Sequence, residues 1–300
     1  MTGTSRREFL SRAASTAGAL AVGTRTLTAS AEEQLRGSLA GAIGFTTGSL
    51  AYQRRNKLLT AFSLPKFVRD DLGMQLIDFN TNWLESLDTH YVQRVRETAD
   101  AADCFFTNLK VNHKFGDLYA GDADVRRTAM SHAKKLISAA RILGARWVRF
   151  SVPKPVPGTR TETLSAHREL AKIAESQNIQ LLVENNGWMK SEPDSVAQLV
   201  RIIGKNVAPG PDTGNWNDDV RYAAIASSFR GAVTCDFKVF DLDSNGQHPK
   251  YDIKRCFDVA WKTGFRGPWA IEHWNQDTPT FAKETRYLRD LLNEWIAAAC

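Results

Sequence analysis

From Gly41 to its end, the chain alternates short apolar runs with longer segments of helical period, eight times in roughly 260 residues. The runs are AIGFTTGSL (42–50), QLIDFNTNW (75–83), CFFTNLKVN (104–112), WVRFSVP (147–153), QLLVENN (180–186), NVAPGPDTGNW (206–216), AVTCDFKVF (232–240) and PWAIEHW (268–274). Helices are expected near 56–71, 90–102, 162–177, 193–203, 218–229 and 252–263. A last one carries Phe281, Leu288, Leu292 and Trp295 on one side. In the helix after the third run, Val125, Ala129, Ala133, Leu136, Ala140 and Leu143 fall three or four apart, and Gly144 ends it. Near-continuous apolar strands are buried on both faces, which argues for a parallel sheet. Eight strand–helix units of this length predict one closed (β/α)8 TIM barrel, α/β in class, over residues 32–300. An open doubly wound sheet is the alternative, but no GxGxxG follows the first strand.

In such barrels chemistry gathers where the strands end. LLVENN passes from three apolar residues straight to Glu184, Asn185 and Asn186, and a carboxylate there is costly to bury unless something binds it. The sixth run supplies Asp212 and then Asn215, the seventh Asp236 and Lys238, the eighth Glu272, His273 and Trp274. Strand alternation puts Asp236 with Lys238, and Glu184 with Asn186, and turns His273 away from Glu272. Four converging acids repel unless protons or a cation join them. Glu184, Asp212, Asp236 and Glu272 are therefore candidate ligands of a divalent metal, and oxygen-only donors select a hard ion, Mg2+, Mn2+ or Ca2+. Lys238 would offset part of the remaining negative charge. Asn186, Asn215, Lys238, His113 and Lys154 are candidate substrate contacts; Lys110 and Lys154 read first as solvated charges at the rim. Trp188, Trp216 and Trp274 follow the acids closely and suit the apolar face of a sugar.

The N-terminus follows a different logic. SRREFL (5–10) carries paired arginines, an Ala-rich apolar run follows, and ASA at 29–31 fits a small-residue cleavage site. That order predicts a twin-arginine export signal over residues 1–31, read by the Tat translocase, and a periplasmic or secreted mature protein. Its removal takes away four arginines and one acid, lowering the formal net charge from +6 to +3. No Lys/Arg cluster remains to favour nucleic acid, and no apolar run is long enough to hold the mature chain in a membrane. Cys104, Cys235, Cys256 and Cys300 form no CxxC pair, which excludes zinc-ribbon and thioredoxin-type sites. Cys104 and Cys235 read as buried thiols. A homo-oligomer is allowed by the sequence and not required by it.

LLVENNGW, PDTGNW, DFKVFDLDSNG, and YDIKRCFDVAWKTGFRGPWAIE together carry a resemblance over the whole mature chain. The protein resembles the xylose isomerase-like barrels, and within them exported members of the sugar phosphate isomerase/epimerase group. The resemblance implies a metal, usually manganese, held by Glu184, Asp212, Asp236 (where histidine is usual) and Glu272. It implies a sugar or keto-sugar substrate deprotonated to an enediolate, with Glu184 and Glu272 as the two proton-transferring carboxylates. Lys190 and Leu242 stand where ketose 3-epimerases carry Glu and Arg, which departs from a free ketohexose substrate. The few histidines at strand ends depart from the trizinc nucleases of the same superfamily. The expected activity is isomerase or epimerase. A lyase or dehydratase acting through the same enediolate is the alternative, on a keto-sugar, glycoside or cyclitol. A non-catalytic carbohydrate-binding barrel and a metal-free glycosidase using Glu184 and Glu272 are the rivals from other classes.

Overall fold

The computed structural model describes residues 39–112, 117–152, 160–275 and 278–300. The candidate export signal, His113 and Lys154 lie outside them. Among the described residues there are eight strands: β1 (Ile43–Thr46), β2 (Leu76–Asn80), β3 (Phe105–Val111), β4 (Trp147–Phe150), β5 (Gln180–Val183), β6 (Val207–Pro209), β7 (Cys235–Val239) and β8 (Trp269–His273). All neighbours pair in parallel, in the order β6-β5-β4-β3-β2-β1-β8-β7. The ring is completed between β6 and β7 by a parallel bridge from Asp212 to Asp236. Three backbone hydrogen bonds support that join: Val233 N to Pro209 O at 3.2 Å, Asp236 N to Pro211 O at 2.9 Å and Thr213 N to Asp236 O at 2.9 Å. Pro209 and Pro211 have no N–H to donate, so this ladder is thinner than its neighbours. The predicted barrel is the observed one.

The helices between strands are α1 (Ala51–Arg55), α2 (Leu64–Asp70), α3 (Thr89–Ala101), α4 (Ala123–Leu143), α5 (Arg160–Ser176), α6 (Ser195–Ile203), α7 (Arg221–Ser228), α8 (Ile253–Lys262) and α9 (Thr278–Ala299). The single helix expected at 56–71 is instead two short ones. Lys57 turns left-handed at φ 55°, Thr60 and Ser63 bond each other's backbone N–H groups at 2.9 and 3.3 Å, and Pro65 opens the first turn of α2. In α4 the expected stripe is buried from Ala129 to Leu143, while Val125 is 44% exposed. Asp122 caps that helix by accepting from Asp124 N at 2.7 Å and Val125 N at 3.1 Å, and Gly144 ends it at φ 78°.

The core lies between the barrel wall and the helices. Around Trp269 of β8, the rings of Phe265, Phe257 and Phe237 sit with centroids 4.9, 5.0 and 6.0 Å away. Cys104, Cys235 and Cys256 are buried and free, and Cys300 is exposed and free. Burial pushes the thiols of Cys104 and Cys256 up to about 12, which keeps them protonated. No helix among the described residues is long and apolar enough to cross a membrane.

One buried group on α5 sets an acid limit. His167 stacks on Tyr119 with centroids 5.6 Å apart, and its Nδ1 meets the Thr163 carbonyl at 3.1 Å. Burial holds its pKa down to about 4. Unfolding releases the ring to a value near 6.5, so the unfolded chain binds the extra proton between those values. The stability His167 contributes is complete above pH 6.5 and is lost as pH falls toward 4, by about 3 kcal/mol at pH 4. Urea unfolding at pH 7 and pH 4 should show His167→Phe losing less stability on acidification than the wild type by about that amount.

Candidate active site

Strand register decides which side chains meet at the mouth of the barrel. Thr46 pairs with Asp78, Asn80 with Lys110, Lys110 with Arg149, and Lys238 with Glu272. Each is a polar residue in or at the end of an otherwise apolar strand, and all are buried. Five buried acids (Asp78, Glu184, Asp212, Asp236 and Glu272) thus share three buried cations, Lys110, Arg149 and Lys238.

The pairing is specific. Arg149 Nε lies 2.8 Å from Glu184 Oε2. Lys110 Nζ makes a short contact with Asp236 Oδ1, lies 3.1 Å from Thr46 Oγ1 and 4.0 Å from Asp78 Oδ2. Asp78 also accepts from Thr107 Oγ1 at 2.6 Å. Lys238 Nζ donates to Asp212 Oδ2 at 2.5 Å and Asn215 Oδ1 at 2.9 Å, and lies 3.2 Å from Glu272 Oε1. Trp274 Nε1 donates to the same Glu272 oxygen at 2.6 Å. Asp212 is fixed further by its own loop, accepting from Gly214 N at 2.8 Å and Asn215 N at 3.1 Å.

Two negative charges remain over the three cations, and the site answers by favouring protons. Burial first, then the charges of Glu272 and Glu184, push the Asp212 carboxyl up to about 6 against the pull of Lys238. Burial likewise raises Asp78 and Asp236, with Lys110 opposing in both. Glu272 goes the other way. Burial works to raise it, but Lys238, Lys110 and the Trp274 N–H outweigh burial and hold its carboxyl below the usual value. Burial also works against both lysines, and the surrounding carboxylates overcome it and hold them charged.

Above these pairs lies a cavity of about 220 Å³. Glu184 and Glu272, each 8% exposed, open into it together with Lys110, Arg149, Asn80 and Trp83. Asp212, Asp236 and Lys238 do not line it. Of the three tryptophans expected as sugar-binding walls, Trp274 lines the cavity and is 37% exposed. Trp188 instead donates to Val152 O at 3.2 Å, and Trp216 is buried in the core. Asn215 bridges the site, its Nδ2 3.4 Å from Glu184 Oε1. Asn186 is half-buried with its Nδ2 3.4 Å from Ser151 Oγ. His273 turns outward, as strand alternation requires, and its Nε2 lies 2.7 Å from Glu284 Oε2. Lys110, read from sequence as a rim charge, is buried at the centre of the site, because β3 carries it to the level of Asn80 and Arg149. Asp78, Asn80, Trp83 and Arg149 were not singled out by the sequence reading. For Asp78, Asn80 and Arg149 the signal is a polar or charged residue placed inside or just after an apolar run; Trp83 carries no such signal.

An acidic triad of the kind that can hold a metal is present: one oxygen each of Glu184, Asp212 and Asp236 lies within 4.8 Å of the others. Glu272 stays outside that group. The hard oxygen donors suit Mg2+ or Mn2+. The space among them does not, because a divalent ion there would stand beside a guanidinium and two ammonium groups that already hold these carboxylates.

Gly214 makes that arrangement possible. A Cβ there would come 2.5 Å from Tyr251 Oη and 2.7 and 2.8 Å from Lys238 Cγ and Cβ. Tyr251 is itself fixed by donating to Lys238 O at 2.6 Å. Gly214→Ala should therefore destabilise by about 1–3 kcal/mol, as overpacking does. Thermal unfolding of the variant checks it; an unchanged melting temperature would mean the Lys238 stem is free to move.

A family profile described as "Xylose isomerase-like TIM barrel" matches residues 70–294. No curated protein matches the chain in sequence. Solved structures share the fold at low identity. The 3-keto-D-glucoside 4-epimerase of E. coli superposes with a TM-score of 0.64 at 11% identity, covering 83% of this chain and 98% of its own. The D-psicose 3-epimerase of Clostridium cellulolyticum H10, solved with D-tagatose, gives 0.63 at 13% identity, covering 85% and 99%. A barrel protein from Mycobacterium smegmatis in complex with magnesium gives 0.58 at 17% identity, covering 80% and 90%. At these identities the likeness establishes the fold.

Proposed function

Because this chain belongs to the xylose isomerase-like TIM barrel family, we propose that it is a carbohydrate isomerase or epimerase that moves a proton on a carbon next to a carbonyl. The observation that carries this reading is the placement of Glu184 and Glu272 in one small cavity with Lys110 and Arg149. The two carboxylates stand three strands apart round the ring, on β5 and β8, and reach the cavity from different sides. Glu272 is kept ionised by its cationic neighbours, so it is poised as a base.

The chemistry follows from these positions. A sugar carbonyl lies toward Lys110 and Arg149, and a carboxylate takes the proton from the adjacent carbon. The C–H pair becomes the C=C bond of an enediolate while the carbonyl π pair moves onto oxygen. Fixed positive charge beside that oxygen stabilises the charge that develops there. Return of the proton from the other carboxylate inverts the centre; return to the neighbouring carbon, with the hydroxyl proton passing to the enediolate oxygen, interconverts aldose and ketose. Trp274 and Trp83 offer flat apolar walls, and Asn80 a polar contact, as a carbohydrate pocket requires.

Manganese, the cofactor expected from sequence, remains the alternative source of positive charge. Glu184, Asp212 and Asp236 are the residues that would hold it, and their cationic partners stand against it. That arrangement needs Lys238 to withdraw from Asp212. Export through the Tat translocase to the periplasm or beyond forms part of the proposal, resting on the motif order in residues 1–31. Incubation of the protein with a panel of keto-sugars and aldoses in deuterated water, followed by proton NMR, tests the reaction. Deuterium should enter next to the carbonyl of at least one of them; a panel without exchange would remove the proposal.

A further inference from the structure

We infer that Lys238 is a built-in cation occupying the place of a divalent metal in this barrel, with Lys110 filling the same office for Asp236. The inference concerns the site proposed above for proton transfer, and its decisive test reads metal binding alone.

Three observations support it. First, an ammonium has three N–H groups, and Lys238 Nζ has three acceptors around it: Asp212 Oδ2, Asn215 Oδ1 and Glu272 Oε1, at 2.5, 2.9 and 3.2 Å. It donates to Asp212 and Asn215 and is ion-paired with Glu272, so it ties together carboxylates of two different strand ends. Second, the stem is built in. Gly214 supplies the room for its Cβ and Cγ, Thr213 Oγ1 accepts from its backbone N–H at 3.0 Å, and Tyr251 bonds its carbonyl. Third, Asp236 has its own buried partner in Lys110 from the far side of the ring, so the acid nearest Lys238 on β7 is engaged as well. A metal entering among Glu184, Asp212 and Asp236 would have to displace Lys238 from Asp212 or Lys110 from Asp236.

Manganese titration of the EDTA-treated protein, followed by calorimetry and by electron paramagnetic resonance of free Mn2+, tests this. The wild type should take up no stoichiometric ion. Lys238→Met should gain a single site with a dissociation constant on the order of micromolar, and Lys238→Met/Asp212→Asn should lose it again. Stoichiometric micromolar binding by the wild type overturns the inference, and so does a folded Lys238→Met that binds no metal. If Lys238→Met does not fold, lysine ammonium 15N NMR of the wild type decides. Protected signals from two buried NH3+ groups that persist in excess Mn2+ support the inference, and their paramagnetic broadening overturns it. Deuterium exchange into a sugar that requires added Mn2+ would overturn this inference and leave the proton-transfer reading standing. A panel without exchange would remove that reading and leave the titration to decide the role of Lys238.

Discussion

Lys110→Ala should cost about 3–5 kcal/mol of unfolding free energy, because it leaves a buried carboxylate without its counter-charge. Lys110 and Asp236 are both almost wholly enclosed, and among the described residues no other cation is ion-paired with Asp236. Removing both partners should cost much less than removing the lysine alone, since no orphaned charge remains. Urea unfolding of Lys110→Ala, Asp236→Ala and the double variant gives the coupling. The loss in Lys110→Ala should also depend on pH. Asp236 left alone is driven by burial to hold a proton in the folded state at pH values where the unfolded chain has released it. Folding then binds a proton, and the variant loses stability as pH rises above about 4. A loss below about 1 kcal/mol at neutral pH would mean that the two charges are not mutually neutralised in the fold.

Glu272→Gln and Glu184→Gln should each lower epimerisation or isomerisation by about 10²- to 10⁴-fold, the range expected for a positioned acid or base. An amide keeps the shape and the acceptor oxygen for Trp274 or Arg149, but takes no proton at neutral pH. The two variants should differ in detail. If the carboxylates serve opposite faces, each variant still exchanges the hydrogen of the one epimer that its surviving carboxylate faces, while net inversion is lost. Proton NMR of the two epimers in deuterated water separates the cases. Wild-type turnover in either variant would exclude that residue from the proton transfer. Loss of both exchange and thermal stability would point to a structural role.

The sequence made the barrel readable because each strand is a compact apolar run and each helix has a long period, so the alternation survives small errors at the boundaries. Glu184 and Glu272 were readable for a related reason, since a carboxylate directly after an apolar run stands out; Asp236 stands inside such a run, and Asp212 follows one after Gly210 and Pro211. The cations were harder. Lys110 and Arg149 are single charges near strand ends, and what buries them is the register that sets β3 between β2 and β4. Sequence periodicity carries no register. Trp216 was expected to face a sugar because it follows Asp212 closely, yet the turn that wraps Asp212 in the Gly214 and Asn215 N–H groups sends the indole into the core. The division of the first helix was likewise hidden, since the left-handed turn at Lys57 uses a residue with no special preference for it.

The join between β6 and β7 gives the molecule a latch. In a ring built from consecutive strands, the meeting of first and last strands is the obvious place for a weak closure. Here β1 and β8 meet in a regular ladder, and the thin place falls between two neighbours in sequence, where the prolines donate nothing. Asp212 and Asp236 bridge that place, and Lys238 reaches across it to Asp212. Any excursion that unlatches the ring there also pulls the lysine off its aspartate. The carboxylates of Asp212 and Asp236 therefore hold their arrangement only while the ring is shut.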